Sequence, residues 1–404
     1  MRGMTDAMTV GERVGWYRRR RGMTQEVLAG LVGRTVVWLG KIENGRTPLD
    51  RLSVIQELAE ALDISIGDLI AEPSLLEWSP ESGQSTVPAL RAALMDYRQL
   101  MAFAPVGPPP ALPALRDDVE AVLDAYQASR YGFVVAQLPR ILGGARLADA
   151  NPGAGEADQA AALLALVYQA TAMILTKLGE TDLAWMAADR GLTAARRSED
   201  PVVVGSLFRS VSHALMSHGR HRDAVSLAMD AGVYLRNADQ STPEMLSIYG
   251  TLNLAGSMAA ARDGDRSAAQ EFLREASIAA SRLGADANLV WTAFGPTNVS
   301  IHRVATAMEL GDVQVAVDVG PRINTAALPT ERQARHAIEV ARAYSAWNRR
   351  DDALGVLLSA ERLAPEQVRH HYLSRQLVLG WIKRERGRPS TQLVGLAQRL
   401  KVSA

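Results

Sequence analysis

Apolar residues in the first seventy positions recur in short bursts at helical spacing, without the strict alternation of a strand. Val10, Val14 and Tyr17 mark one helix. Thr24 is placed to cap a second, with Val27, Leu28 and Leu31 on its inner face. Gly33 is expected to end it, because glycine takes the left-handed backbone of a sharp turn without strain. Thr35 is the next candidate N-cap, ahead of Val36, Leu39 and Ile42, and Asn44-Gly45 stops that third helix. Two more helices are predicted at about 50–62 and 66–71, the first from Leu52, Ile55, Leu58 and Leu62. Residues 73–88, PSLLEWSPESGQSTVP, mix Pro, Ser and Gly and read as a linker. A helix is predicted from Ala89 to about Phe103, and the proline-rich APVGPPPALP (104–113) cannot continue it.

Beyond that point the pattern repeats. A Gly-x-x-x-x-Ala unit, followed in places by a second Ala seven residues on, occurs at Gly179/Ala184, Gly219/Ala224/Ala231, Gly264/Ala269/Ala276 and Gly311/Ala316. Asn348/Ala353/Ala360 repeats it without the glycine, and Ala136 is a candidate start of the series. The small residues would let antiparallel helices approach closely, and the glycine would supply the turn inside each pair. Over about 115–404 this resembles a tetratricopeptide-repeat array of five or six degenerate units. Stacked pairs of that kind wind into a superhelix with a concave face.

The N-terminal pattern has a closer likeness. Two helices of roughly eight residues joined by a four-residue glycine turn make a helix-turn-helix, whose second member can stand clear of the core. The stretch TQEVLAGLVGRTVVWLGKIENG, Thr24 to Gly45, resembles the phage-repressor (Xre) class of these domains without a gap. T-Q-x-x-L-A-x-x-x-G and the I-E-N-G ending carry the likeness, and the broader match runs over about 9–71. The resemblance implies an all-α chain: a five-helix DNA-binding head at 1–72, the linker at 73–88, and an α-solenoid of tetratricopeptide-like hairpins at 89–404.

It also implies roles. Thr24 and Gln25 open the second helix at the phosphate backbone. Arg34, Thr35, Val36, Val37 and Trp38 lie in the groove, with Lys41 one turn further on. Asn44 meets phosphate through the loop amides, with Arg46 as a charge partner. Arg18 pairs with Glu43, an ion pair of the kind that fixes orientation more than it adds stability. Val36 and Val37 depart from the family, where bidentate polar side chains are common. Valine can pack on a thymine methyl but cannot hydrogen-bond a base edge. Trp38 has two readings, a wedge against sugar or base edges and a packing residue on the second helix. Hydrogen-bonded readout would then rest on Arg34, Thr35 and Lys41, with DNA shape contributing.

Composition narrows the picture. The 404 residues are 48% hydrophobic and only 5% aromatic, and 44 basic side chains balance 44 acidic ones. The balance is uneven along the chain: residues 1–51 hold ten basic and five acidic side chains, a net of +5, whereas 52–72 hold five acidic and none basic. Of Arg18–Arg21, one is expected inside and the others near phosphate. The absence of cysteine removes disulfides, thiolate catalysis and cysteine-ligated zinc. No uninterrupted apolar run reaches the ~18 residues of a membrane span, and the N-terminus is too polar for a signal peptide, so a cytoplasmic protein is expected, associated with the nucleoid when on DNA.

His213, His218 and His221 are not spaced for a metal, and no metal or other cofactor is expected. His370-His371 are expected at the surface, and Trp185, Trp291, Trp347 and Trp381 in packing. NPGAG (151–155) lacks the Lys-Ser/Thr pair of a phosphate loop. No catalytic spacing stands out, and the chain is not expected to be an enzyme. The expectation is a DNA-binding transcriptional regulator, homodimeric because one recognition helix needs a second half-site. Its repeats would bind a peptide or small-molecule effector or hold the dimer together. The layout is similar to bacterial regulators that place such a head before a repeat array, including the peptide-receptor quorum-sensing group. The alternative is a protein-interaction scaffold whose head only localises it on DNA.

Overall fold

A computed structural model of the chain describes residues 8–49, 51–62, 64, 69, 87–96, 107–238, 242–385 and 387–402. Among them the fold is all-α, with twenty helices and, in place of strands, a single isolated bridge between Ala287 and Phe294. The chain forms two compact units. One comprises Met1–Pro73, Ala307–Arg322 and Ala334–Ala404, and the other Ser74–Thr306 with Ile323–Gln333.

In the first unit the head has helices α1 (Val10–Arg20), α2 (Gln25–Leu31), α3 (Val36–Glu43) and α4 (Leu52–Ala61). Thr9, Thr24 and Thr35 cap the first three, each accepting a backbone N–H, and Thr9 with Glu12 forms a full capping box. Val10, Val14, Leu28, Leu39, Ile42, Ile55, Leu58 and Leu62 make its core. The helix predicted at 66–71 lies outside the described residues except for Leu69, which is buried in that core. Of the three residues expected inside, only Leu28 is buried, joined by Ala29, while Val27 and Leu31 are 50% and 60% exposed.

The second unit opens with α5 (Val87–Leu94), so the last two residues assigned to the linker are already helical. The rest of the linker, and the far half of the helix predicted to Phe103, lie outside the described residues. Four hairpins follow: α6 (Leu112–Gln127) with α7 (Tyr131–Ala150), α8 (Ala157–Lys177) with α9 (Thr181–Arg197), α10 (Pro201–Ser217) with α11 (His221–Asn237), and α12 (Pro243–Arg262) with α13 (Arg266–Leu283). Helix α14 (Pro296–Leu310) precedes α15 (Val313–Val319), and α16 (Thr330–Ala346) precedes α17 (Arg350–Leu363). Three short helices end the chain: α18 (Pro365–His370), α19 (Tyr372–Arg384) and α20 (Thr391–Arg399).

One device builds every hairpin. A residue of positive φ (Ser129, Gly179, Gly219, Gly264, Gly311, Asn348) sits in the turn. The next N–H returns to the carbonyl five residues back: Arg130 to Ala125, Glu180 to Leu175, Arg220 to Leu215, Asp265 to Ala260, Asp312 to Ala307 and Arg349 to Tyr344, all at 2.8–3.0 Å. This is the Schellman closure, which satisfies carbonyls that the helix end leaves over. Five residues after each turn a small or β-branched side chain is fully buried: Val134, Ala184, Ala224, Ala269, Ala316 and Ala353. The first unit of the series is therefore Ser129/Val134, and Ala136, only half-buried, is not its key residue.

Helix α8 needs one amendment to the sequence reading. It is long and apolar enough to cross a membrane by length and composition alone, yet most of it is buried inside the protein. It is a core helix of the second unit. Phe294 is likewise enclosed, filling the place where a side chain on Gly250 of α12 would stand.

Candidate nucleic-acid interface

Helix α3 is held from behind by one polar cluster. Arg18 and Glu43, 8% exposed each, meet in a fork of two hydrogen bonds at 2.5 and 2.7 Å. The third arm of the guanidinium donates to the Met23 carbonyl at 2.7 Å, and the Gln25 amide donates to the same carboxylate at 2.9 Å. Hydrogen bonding to Glu43 raises the Arg18 pKa above its ordinary value against the opposing effect of desolvation. Gly15 leaves room for the Glu43 side chain, and Gly11 lets α1 cross α3 where a Cβ would lie 2.2 Å from the Ile42 carbonyl oxygen. So α1, the start of α2 and the end of α3 are fixed to one another through a closed polar knot and a glycine crossing.

The opposite side of α3 faces outward. Val37, Lys41 and Asn44 follow the i, i+4, i+7 spacing of one helical face, Arg34 lies in the turn just before the N-cap Thr35, and all four are exposed, Val37 by 68%. Thr35 is exposed too, but its oxygen caps the helix at the Trp38 N–H (3.2 Å). Val36 and Trp38 split from this stripe: both are half-buried against the head core. Arg34 lies over the Trp38 ring at 5.8 Å, and its guanidinium is 3.8 Å from Glu57 of α4. Both side chains of that pair are nearly half exposed, so it restrains Arg34 weakly. Of the two readings of Trp38, the geometry is that of packing.

Other sequence candidates also lie differently from expectation. Gln25, assigned to phosphate, donates its amide inward to Glu43. The loop after α3 was expected to offer backbone amides, but those of Asn44, Gly45, Arg46 and Thr47 all return to α3 carbonyls, and the Asn44 side chain donates to Gly40. Arg46 in the same loop is exposed. Thr24 is exposed and serves as the α2 cap, accepting from Val27 N. In the arginine run Arg18 is internal, Arg19–Arg21 are exposed, and Arg20 lies over the Trp16 ring at 5.0 Å.

The histidines form no metal group, and none of three or more His, Asp or Glu occurs among the described residues. His370 and His371 are half-buried and not surface residues, because His371 caps α19 by accepting from Leu373 N (3.2 Å). Trp381 is buried and donates to Ser345, whereas Trp185 and Trp347 are 36% and 48% exposed. Gln25 as a ligand of Glu43 was missed, although its place opposite I-E-N-G was visible; nothing in the pattern told a polar partner from a phosphate contact.

Residues 9–72 match the family described as a helix-turn-helix domain. No curated protein sequence matches the chain. Among solved structures, the chain is similar to BtubC (BKLC) from P. vanneervenii at 15% identity and a TM-score of 0.37, over 69% of this chain and 95% of that one. It is similar also to PlcR from Bacillus thuringiensis, in complex with the peptide PapR7 and DNA, at 14% identity and a TM-score of 0.37, over 88% of this chain and 98% of that one. The polypeptide thus carries an N-terminal helix-turn-helix domain, its second helix α3, followed by a body of antiparallel helical hairpins.

Proposed function

We propose that the protein is a sequence-specific DNA-binding regulator that inserts α3 into the major groove. The observation that carries this reading is the exposed set Val37, Lys41 and Asn44, with Arg34 in the turn before them, at a helix locked from behind by Arg18, Glu43 and Gln25. Arg34 and Lys41 would read base edges, Val37 a thymine methyl, and Thr24, Arg46 and the exposed arginines of the Arg19–Arg21 run would meet phosphate. Thr35 keeps a hydroxyl donor while it caps. Gln25, Val36 and Trp38 would act by holding the helix in place more than by touching bases. One recognition helix gives little affinity, so a homodimer on two half-sites about one helical turn apart is part of the proposal. The helical body would bind an effector or join the subunits.

A gel shift on sites selected from random DNA tests it. Replacing Arg34 and Lys41 together by alanine should abolish specific binding while the circular dichroism of the protein is unchanged; retained binding overturns the assignment. A second reading, a scaffold that holds a protein partner, has its own observation. Met229, Val233 and Tyr234 expose an apolar stripe on α11, at 59%, 49% and 45%. Light scattering of a Val233→Asp variant separates the two: loss of self-association together with DNA binding favours the dimeric regulator.

A further inference from the structure

Inside the second unit lies a buried charge that no described carboxylate meets in an ion pair. Arg209 of α10 is 7% exposed, and its Nε and one Nη have no hydrogen-bond partner. No carboxylate of the described residues pairs with it. It stands ten residues before the turn glycine Gly219, the register that Gln169 holds before Gly179 on α8. One turn on, at i+4, His213 stands on the same helix face and is exposed, with Arg209 among the charges that act on it. Desolvation is the first cause that lowers its pKa, and the charges acting on it, from Arg209, Arg332, Arg262 and His302, all push the same way.

Arg209 itself is lowered to about 10, first by burial and then by Arg332, so it remains a cation at neutral pH. The groups that pull the other way are Tyr126 and Glu331. Glu331 already takes the Lys177 ammonium and lies 3.8 Å from Arg332, so the acid that acts on Arg209 is shared with two other cations. Further polar groups here are unsatisfied. Arg262 Nε is buried without a partner, as is the side-chain amide of Asn298, which is 1% exposed and one turn before His302 on α14.

A strained segment braces the same region. Val290, Trp291 and Ala293 hold positive φ angles of 44°, 54° and 49°. Trp291 donates to Asp124 at 2.7 Å and Asn288 exchanges amide bonds with Gln127, on either side of Tyr126. Strain of this kind persists where the surroundings over-determine it, and it gathers at ligand sites.

Burying a lone guanidinium costs several kilocalories unless an anion meets it, and a native fold seldom keeps such a group without use. We propose that the Arg209–His213 cluster is an anion site that receives the carboxylate or phosphate head of the effector. The inference rests on the reading that the body binds an effector, and it names the chemistry of that effector's recognised end. Arg209 supplies the planar fork that suits either group, and His213 a hydrogen bond beside it.

Calorimetric titration of the full chain without DNA tests it, with four probes: inorganic phosphate, hexanoate, and one hexapeptide with a free or an amidated C-terminus. Saturable binding of at least one anionic probe at millimolar concentration is expected, and none of the amidated peptide. Phosphate alone binding identifies a phosphorylated ligand, hexanoate an organic acid, and the free peptide a chain terminus. Arg209→Met should weaken binding about tenfold or more, and should leave the melting temperature of the ligand-free protein equal or higher. His213→Gln should weaken it by a smaller factor. No saturable binding by any anionic probe overturns the proposal. So does unchanged affinity in Arg209→Met, or a lower melting temperature or misfolding in that variant, which makes Arg209 structural. A footprint on the same preparations keeps the two readings apart: a footprint without anion binding sinks this inference alone, and anion binding without a footprint sinks the regulator reading alone.

Discussion

Two of the buried arginines, one in each unit, stand in contrast. Arg18 in the head has a carboxylate in a two-bond fork, a backbone carbonyl on its third arm, and a glutamine completing the carboxylate. Arg209 in the second unit is buried to the same degree and has none of these. The same side chain is a structural fastener in one place and an unanswered charge in the other. The lesson is that burial of a charge says little about its role until its partners are counted: a closed cluster orients a surface, and an open one awaits something from outside the chain. On the proposed reading, the working surface of the head is the face turned away from the buried charge, and that of the second unit is the buried charge itself.

The sharpest way to break this contrast is to open the closed cluster. Glu43→Ala leaves Arg18 buried without its carboxylate, and removing one partner of a buried pair costs about 3–5 kcal/mol. Urea unfolding should show a loss of that size, with DNA binding lost alongside because α3 is no longer held. A loss below about 1 kcal/mol would mean that the fork contributes as little as a surface pair does. Gly11→Ala acts on the same crossing without touching charge. Its new methyl group meets the Ile42 carbonyl, and about 1–3 kcal/mol should be lost as α1 and α3 part.

The contrast also explains which parts could be read from sequence. The helix-turn-helix was legible because its signals are local: threonine caps, left-handed glycines and a short apolar period, each satisfied within a few residues. The repeat body was legible where glycine and alanine mark the turn, at Gly179, Gly219 and Gly264. It was misplaced at the first hairpin, where Ser129 and Val134 fill the same backbone and packing positions with other chemistry. The face of α2 was misjudged because hydrophobicity alone does not say which of Val27, Leu28 and Leu31 a neighbour will cover. The Arg209 cluster was invisible for a different reason: it joins α6, α10, α12, α14 and α16, more than two hundred residues of chain, and a single arginine in an apolar helix carries no spacing signal. His213 was seen, but weighed only as a possible metal ligand beside His218 and His221.

A titrating group in the head's own unit gives the next largest effect. Burial, and then the charges of Arg375, Arg369 and Lys401, lower His370 to about 4. The folded-state value lies below the unfolded one, about 6.5, so stability is full above that pH and falls as His370 must be protonated on unfolding but not in the native state. Between pH 6.5 and 4.5 this group should account for about 2–3 kcal/mol of lost stability. His370→Gln should flatten that limb of the urea-stability curve by its share, while His336, also lowered by burial, keeps the rest sloping downward. A slope identical in the variant would place the titration elsewhere.

The smallest effect on stability belongs to the outward stripe, and there the contrast can be sharpened without disturbing the fold. Val37 is 68% exposed, so Val37→Ala should change stability by no more than about 0.5 kcal/mol. If the stripe reads DNA, the loss should appear in affinity, and unevenly. Valine meets a thymine methyl and offers nothing to a G·C pair, so sites with A·T at the contacted step should bind about five- to tenfold more weakly, the equivalent of roughly 1 kcal/mol. Sites with G·C at that step should be unaffected. Lys41→Ala, if it removes a base contact, should likewise discriminate among sequences, whereas Arg46→Ala should weaken all sites alike and reduce the salt slope by about one phosphate's share. Equal weakening of every sequence by Val37→Ala would remove valine from the groove and leave readout to the charged side chains beside it.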